Sequence, residues 1–267
     1  MQPLPNTAEG QLAQVIRRVG APGFETALHD WFRRCVAPDN LIILAYRNAG
    51  PPQVLFRQSD KPQVFSQLDT TYLAGAYLLD PYHDLHVTRV PAGAYRLRDV
   101  APDAFHRSRY FIEYYQQTTL LDEVTFVAYP VADVSLNICL GRDAASGQPF
   151  TAREVETCQR LAPIVIALAE AHWQGLGQGV AAREGAVGDV TAQLVRAAET
   201  AHGIHLSPRQ AEVALLILRG HSTVSIGLRL GVAAQTVKVF RKQLYARCGI
   251  SSQAELFALM LPLLSTD

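Results

Sequence analysis

The sequence predicts an α+β chain in which a body with an antiparallel sheet precedes a small all-α tail. Two pairs of strand-like segments separated by turn residues indicate hairpins, and helix-spaced apolar residues surround them. Glycine then fills five of the 14 positions from 175 to 188, which disfavours helix and strand and indicates a linker. Residues 206–267 carry seven basic and three acidic side chains, against 17 and 21 in the remainder. We therefore divide the chain into 1–174, 175–205 (linker and short helix) and 206–267.

The elements of the body follow from apolar spacing and turn residues. One hairpin pairs residues 41–46 with 53–56, and a second pairs 124–131 with 134–140. Apolar residues three and four apart predict helices near 12–19, 28–35, 65–79, 104–116 and 152–174. Asp80-Pro81 is expected to be a loop. An antiparallel sheet with helices packed on it is a GAF/PAS-like architecture.

Four helices are predicted in the tail. Ser207 caps the first, with Pro208 at its first position and Gln210 completing a capping box, and Gly220 ends it. The second and third cover 223–230 and 234–248, each followed by glycine, and the fourth starts after residue 251 or 252. Two short helices around a glycine turn, inside a basic module, are typical of a helix-turn-helix.

The third tail helix presents a basic face. Val237 and Leu244 share its inward side, whereas Lys238 and Lys242 lie one turn apart on another side. The only other lysine of the chain is Lys61. Two neighbouring lysines on an isolated helix are usually a solvated face. The second element of a helix-turn-helix enters the major groove, however, so here we favour contact with DNA.

Four sequence blocks of the tail stand in order, at 206–213, 220, 230–239 and 248–256. In this order and register they resemble the LuxR/FixJ-type DNA-binding domain. The resemblance implies a homodimer on a two-fold-symmetric site of double-stranded DNA, with Lys238, Val239 and Lys242 near the bases. It also implies phosphate contacts from three hydroxyl side chains, Ser222, Thr223 and Thr236.

Five positions depart from the family pattern, namely Ser225, Gly227, Ala233, Phe240 and Arg241. Ala233 stands where a Ser or Thr cap is usual, and a missing cap typically costs about 1 kcal/mol. Arg241 occupies a position that is usually apolar. Because it follows Val237 by four residues, we expect it to point partly inward and to reach a DNA phosphate.

The body resembles two kinds of regulator. It is similar to acyl-homoserine-lactone receptors in architecture and in the pair Asp80-Pro81, although Gln67 and Thr71 stand near the places where those receptors carry Trp and Tyr. The run from 97 to 124 is also similar to stand-alone LuxR-type regulators with a GAF/PAS-like domain. A phospho-receiver domain needs a lysine after its fifth strand, and no lysine occurs between 61 and 238.

Polar and aromatic side chains cluster in two segments of the body, 77–86 and 110–115. Core packing is the plain interpretation of the aromatic residues. The alternative is a pocket for a small organic effector with a polar or anionic end, formed by Asp80, Tyr82, His83, Tyr110, Tyr114 and Phe126. His83 and His86 with the neighbouring acids could ligate a metal, but that spacing alone is a weak signal and we expect no metal.

Several functional classes lack their sequence signals. The four cysteines have no zinc-type spacing, no GK[ST] or GxSxG motif occurs, and the N-terminus has no signal-like apolar segment. No apolar run approaches the roughly 18 residues of a membrane span. We therefore expect a cytoplasmic protein without a cofactor, a catalytic residue or a membrane partner.

Three hypotheses remain for the whole chain. The favoured one is a ligand-responsive transcription factor. The second is a binding or catalytic domain with an incidental DNA-binding tail, and turnover of a small molecule would distinguish it. The third is a constitutive DNA binder whose body only dimerises, and DNA affinity unchanged by any metabolite would favour it.

Overall fold

The computed structural model describes residues 7–47, 50–177 and 190–264. Within these ranges the body contains the strands β1 (Asn40–Arg47), β2 (Gln53–Ser59), β3 (Gly93–Arg96), β4 (Leu120–Val131) and β5 (Val134–Asp143). Its helices are α1 (Ala8–Arg17), α2 (Phe24–Cys35), α3 (Pro81–Thr88), α4 (Leu97–Val100), α5 (Arg109–Glu113) and α6 (Ala152–His172). The segment between body and tail contains α7 (Val190–His202), and the tail contains α8 (Pro208–Arg219), α9 (Thr223–Leu230), α10 (Ala234–Cys248) and α11 (Gln253–Leu264).

The strands form one antiparallel sheet in the order β2-β1-β5-β4-β3. Both predicted hairpins are confirmed, because β1 pairs with β2 and β4 pairs with β5. Residues 48 and 49, in the turn of the first hairpin, lie outside the described residues. The hairpins join along β1 and β5, from Asn40 opposite Gly141 to Arg47 opposite Val134. The predicted α+β architecture is therefore confirmed.

Alternate residues of each strand point to two different cores. On β4, Val124, Phe126 and Ala128 pack in an apolar core with residues of α2 and α6. Val127, between them, faces the other way and belongs to a second core. A capping box between Thr151 and Glu154 fixes the start of α6, the long helix that the sequence predicted.

Two predicted helices of the body are broken into short turns. Residues 65–79 form the end of one 3-10 turn (Pro62–Phe65), a π-turn (Leu68–Tyr72) and a further 3-10 turn (Ala76–Leu79). The β-branched pair Thr70-Thr71 and Gly75 both lower helix propensity there. Residues 104–116 are likewise split, because the Ser108 hydroxyl accepts the Phe111 amide and starts the short α5. Both predictions of continuous helices were wrong.

Helix α3 and strand β3 were not predicted. Asp80-Pro81, expected to be a loop, is the start of α3: the Asp80 carboxylate accepts the Tyr82 amide, and Pro81 occupies the first helical position. Strand β3 spans only four residues, which is too short for an alternating apolar pattern to be visible in the sequence.

The tail follows the sequence closely. Ser207 and Gln210 form the predicted capping box of α8, and Gly220 ends that helix in the left-handed conformation with a φ of 94°. Helices α9 and α10 have the predicted bounds. Ala233 precedes α10 without a side-chain cap, as expected. The glycine-rich segment lies outside the described residues from 178 to 189, so the proposed domain boundaries stay a prediction.

The body and the tail share one apolar core. Its buried members include Tyr77 and Phe105 from the body, and Leu216, Leu256 and Met260 from the tail. The docking of α8 and α11 on the body therefore buries apolar surface from both parts. Among the described helices, none is both long and apolar enough to cross a membrane.

Candidate functional site

The recognition helix α10 presents its basic side chains to solvent. Val237 and Leu244 are buried, as predicted, which fixes the rotation of the helix on α8 and α9. Lys238, Val239 and Lys242 are exposed on the outer surface, with Val239 46% exposed. An exposed β-branched residue between two lysines is a surface that is suited to base edges in a major groove.

Arg241 takes a position that the sequence did not predict. It was expected to point partly inward, but it is exposed, with its guanidinium 5.1 Å from the centre of the Tyr245 ring. Stacking on an aromatic ring holds the flat guanidinium against the helix surface while it remains in water. Thr236, in the first turn of the same helix, is half-buried.

The N-terminus of α9 faces the body. Ser222 caps the helix by accepting the Ser225 amide, and Thr223 is the first helical residue. The backbone amide of Ser222 donates to the Asp103 carboxylate of the body over 2.9 Å. Burial by itself raises the pKa of Asp103, but the hydrogen bonds from Ser222 and the interaction with His221 together lower the pKa below its usual value. A carboxylate thus occupies a helix terminus that favours anions.

A second contact joins the tail to α3 through charges. Arg219 at the end of α8 donates to the Leu78 carbonyl over 3.1 Å and lies 3.4 Å from an Asp84 carboxylate oxygen. Arg229 of α9 lies 3.4 Å from the other oxygen of Asp84. Asp84 therefore bridges two arginines of the DNA-binding module.

Backbone contacts bring these two surfaces close together. The Ala104 amide donates to the Gly220 carbonyl over 3.0 Å. A side chain at Gly220 would place its Cβ 2.7 Å from the Phe105 Cα, so the turn after α8 approaches the body as closely as glycine alone allows.

A cavity of about 60 Å³ lies on the second face of the sheet, beneath the irregular turns of residues 62–79 and α5. This volume gives room for a few water molecules. Its lining is aromatic, apolar and acidic, and consists of Asn40, Ile42, Leu44, Tyr46, Val64, Phe65, Leu68, Tyr72, Asp80, Tyr82, Tyr110, Tyr114, Tyr115, Thr118, Leu120, Glu123 and Cys139.

Hydrogen bonds organise the acidic end of the cavity. The Tyr46 and Tyr72 hydroxyls lie 2.8 Å apart, and Tyr72 donates to the Asp80 carboxylate over 2.8 Å. The other Asp80 oxygen holds the Tyr82 amide at the start of α3. Burial raises the pKa of Asp80 to about 6, although the hydrogen bonds from Tyr82 and Tyr72 by themselves lower this pKa. The residue that caps α3 is therefore also part of the cavity wall.

Glu123 of β4 is the second carboxyl of the cavity. The Tyr115 hydroxyl donates to it over 2.6 Å. Burial, followed by the charge of Asp80, raises the pKa of Glu123 to about 8, so its carboxyl is largely protonated at neutral pH.

The structure brings together four of the six predicted pocket residues, Asp80, Tyr82, Tyr110 and Tyr114. Phe126 belongs to the opposite face of the sheet, since it lies an odd number of residues from Glu123 along β4. His83 is buried away from the cavity lining, with its ring 5.3 Å from the Tyr77 ring centre and 5.7 Å from that of Tyr46. Burial, followed by the charge of Arg219, lowers the pKa of His83 to about 3, so its ring is neutral.

Sequence reasoning missed Glu123, Tyr46, Tyr72 and Tyr115 as cavity residues. A signal for Glu123 was available, because an acid inside a strand of buried apolar residues needs either a polar partner or a site. Tyr46 and Tyr72 come from distant segments that only the fold brings together. Among the described residues, no group of three or more His, Cys, Asp and Glu could hold a metal ion.

Comparison with known proteins places the chain in a family. The model of the luxR family of bacterial regulatory proteins matches residues 205–260. A protein of Aeromonas salmonicida, named as an HTH-type transcriptional regulator in the exeN 3′ region, is 32% identical over 187 residues, 68% of this chain and 93% of that protein. The chain belongs to the luxR family. This luxR-family chain is thus a DNA-binding transcriptional regulator of the helix-turn-helix type.

Solved structures extend the likeness to the body. The LBD domain of VqsR from Pseudomonas aeruginosa is 20% identical, with a TM-score of 0.52, over 63% of this luxR-family chain and 97% of that domain. The body therefore shares the fold of that domain. SdiA of Escherichia coli matches 96% of the chain at 15% identity, with a TM-score of 0.44.

Proposed function

We propose that this luxR-family regulator responds to a small organic effector and binds a two-fold-symmetric promoter site as a dimer. The observation that supports the response is the position of α3. Its N-cap, Asp80, lines the cavity, and Asp84, one turn further on, holds Arg219 and Arg229 of the DNA-binding module. A change of packing in the cavity would therefore reach the tail through a single short helix.

On the DNA side, we propose that Lys238, Val239 and Lys242 contact base edges. Arg241 and three hydroxyl side chains, Ser222, Thr223 and Thr236, would contact phosphates. The exposed position of both lysines on the second element of the helix-turn-helix supports this assignment. The dimer follows from the family resemblance, since family members bind symmetric sites.

The docked tail is proposed to be the form with low DNA affinity. Asp103 already accepts the Ser222 amide, which a DNA phosphate would need at the start of α9. DNA and Asp103 would thus compete for the same donor. An effector would change DNA affinity by binding the docked and released forms with different affinities.

The recognition helix is tested by removing its lysines. Lys238→Ala or Lys242→Ala should weaken binding to a duplex selected from a random library by about 1–3 kcal/mol if the contact is to a base. If the contact is to a phosphate, the loss of affinity should be the same for every DNA sequence. The slope of the logarithm of the binding constant against the logarithm of the salt concentration should then fall by about one. Fluorescence anisotropy over a salt series measures both. Lys61→Ala, at the third lysine, is the matched control, and full binding by the folded double variant would reject the assignment.

The competition is tested with Asp103→Asn. Loss of the carboxylate should favour the released tail and tighten binding to any duplex by about 1 kcal/mol, roughly fivefold. Asp133→Asn removes the same charge at an exposed site of the body and controls for the change in net charge. Equal affinities of the two variants would contradict the proposed masking. Light scattering of the complex with the selected duplex should give two chains per site.

A further inference from the structure

The two carboxyls of the cavity have no basic partner. None of the residues that line the cavity is Lys, Arg or His. Neither Asp80 nor Glu123, which are both at most 9% exposed, forms an ion pair in the described part of the chain. Their oxygens are held by tyrosine hydroxyls and one backbone amide.

The other two buried acids of the body, Asp143 and Asp122, have more complete partners. Asp143 is fully buried and accepts hydrogen bonds from the Asn40 side-chain amide over 2.8 Å and from the Ala145 backbone amide over 2.7 Å. Asp122, next to Glu123 in β4, pairs with Arg96, and both side chains are less than 10% exposed. Asp39 lies 3.7 Å from Arg142.

The two cavity carboxyls also share one enclosed space, and the charge of Asp80 disfavours the charged form of Glu123. A positive charge supplied from outside the chain would therefore stabilise both carboxylates at once.

Aromatic rings complete the surroundings of the two carboxyls. Six tyrosines line the cavity, Tyr46, Tyr72, Tyr82, Tyr110, Tyr114 and Tyr115. The Tyr110 and Tyr114 rings stack at 5.3 Å, and Tyr114 stacks on Tyr72 at 5.7 Å, which makes a continuous aromatic wall. Ring faces attract cations, and aromatic cages are used to bind ammonium groups.

An unused polar group also points to a ligand. The Tyr110 hydroxyl is fully buried beside Asp80, yet it makes no hydrogen bond of ordinary geometry with the described residues. A buried hydroxyl without a partner is unfavourable, and it is available to a ligand that occupies the cavity.

We propose that the effector is a small organic cation, an amine or ammonium, held between Asp80 and Glu123 and packed against the tyrosine rings. The inference rests on the proposed effector response and specifies the ligand of that site. It replaces the polar or anionic end that the sequence suggested, because two carboxyls would repel an anion. The cavity volume restricts the occupant to a small molecule unless side chains rearrange.

The protonation of the two acids is consistent with a missing counter-ion. Burial raises the pKa of both Asp80 and Glu123. The other titratable side chains of the cavity wall are tyrosines and Cys139, and none of them is a base. A bound ammonium would favour both carboxylates and release a proton from Glu123.

The charge of the ligand is tested with two series of probes, and within each series the probes have the same hydrocarbon part but a different charge. Wild-type protein is titrated with n-butylamine, n-butanol and butyrate, and with benzylamine, benzyl alcohol and benzoate, by calorimetry and thermal shift at pH 7.5. At least one amine should bind about tenfold more tightly than its alcohol, and the carboxylates should not bind. Glu123→Gln and Asp80→Asn should remove this preference for the amine, whereas Glu156→Gln, at an exposed acid of α6, should keep it.

The outcomes separate the two proposals. Binding of an alcohol or carboxylate as tight as that of its amine, or no binding by either amine, would overturn the cationic class. A neutral probe that binds in the cavity and changes DNA affinity would overturn only the charge of the ligand. An amine that binds with the expected selectivity but leaves DNA affinity unchanged would support the site and contradict the effector response. Isothermal titration in two buffers of different ionisation enthalpy should also detect proton release with the amine, and its absence in Glu123→Gln.

Discussion

The two faces of the sheet are built from the same strands but have opposite character. One face packs Val124, Phe126 and Ala128 against α2 and α6 in a core of apolar side chains. The other face presents Glu123 and Thr125 from the same strand to a cavity and a tyrosine cluster. Strand alternation makes this possible, because adjacent residues never share a face.

The packed face of the sheet contributes more to the stability of the body than the cavity face does. The packed face buries almost entirely apolar atoms, and the indole nitrogen of Trp31 is a buried polar atom there without a hydrogen-bond partner among the described residues. The cavity face buries two acids, six tyrosines and an unpartnered hydroxyl, which is typical of functional sites. The cavity face is also continuous with the core that holds the tail.

The largest expected effect comes from the packed face. Phe126→Ala should lower the free energy of unfolding by about 3–5 kcal/mol, because a fully buried ring that stacks on Phe32 at 5.4 Å would leave a new void. Tyr114→Ala should cost less, since Tyr114 already borders a cavity. Urea unfolding measures both, and equal losses would mean that the two faces are packed alike.

The pH dependence of stability should distinguish the cavity face. The folded pKa of Glu123, about 8, lies above its unfolded value, so the folded state keeps a proton that the unfolded state has released. This contribution is fully present below pH 4.5 and is lost as the pH rises to 8, a change on the order of 5 kcal/mol.

The variant Glu123→Gln should remove much of this slope between pH 5 and pH 8, and the remaining slope should include that of Asp80. Glu156→Gln, at an exposed position, should retain the wild-type slope. Chemical unfolding at several pH values provides the measurement, and parallel curves for wild type and Glu123→Gln would contradict the assignment of a buried, unpaired acid.

The smallest effect concerns single hydroxyls on neighbouring residues. Thr125→Val removes a fully buried hydroxyl that has no hydrogen-bond partner of ordinary geometry, and should stabilise the protein by about 1 kcal/mol. Val124→Thr introduces a hydroxyl on the packed face and should destabilise it by about 1–3 kcal/mol. The two changes are nearly isosteric, and a shift of the melting temperature in the same direction for both would contradict the contrast between the faces.

Local chemistry explains how much of the tail the sequence determined. The capping box of Ser207 and Gln210 and the three terminal glycines act within one turn of the chain, so the bounds of α8, α9 and α10 could be read directly from the residues. The exposed lysines of α10 followed from the same periodicity. In the body, the alternating strands of both hairpins were visible for the same reason.

Only the tertiary structure decided the cavity and the docking of the tail. Tyr46, Tyr72 and Glu123 come from three distant segments, and no local rule states that their side chains converge. The contact of Asp103 with Ser222 spans 119 residues and depends on how two cores merge. Helix caps and periodicity are short-range properties, whereas a binding site is defined by side chains that meet across the fold, and their positions are set by the packing of the whole chain.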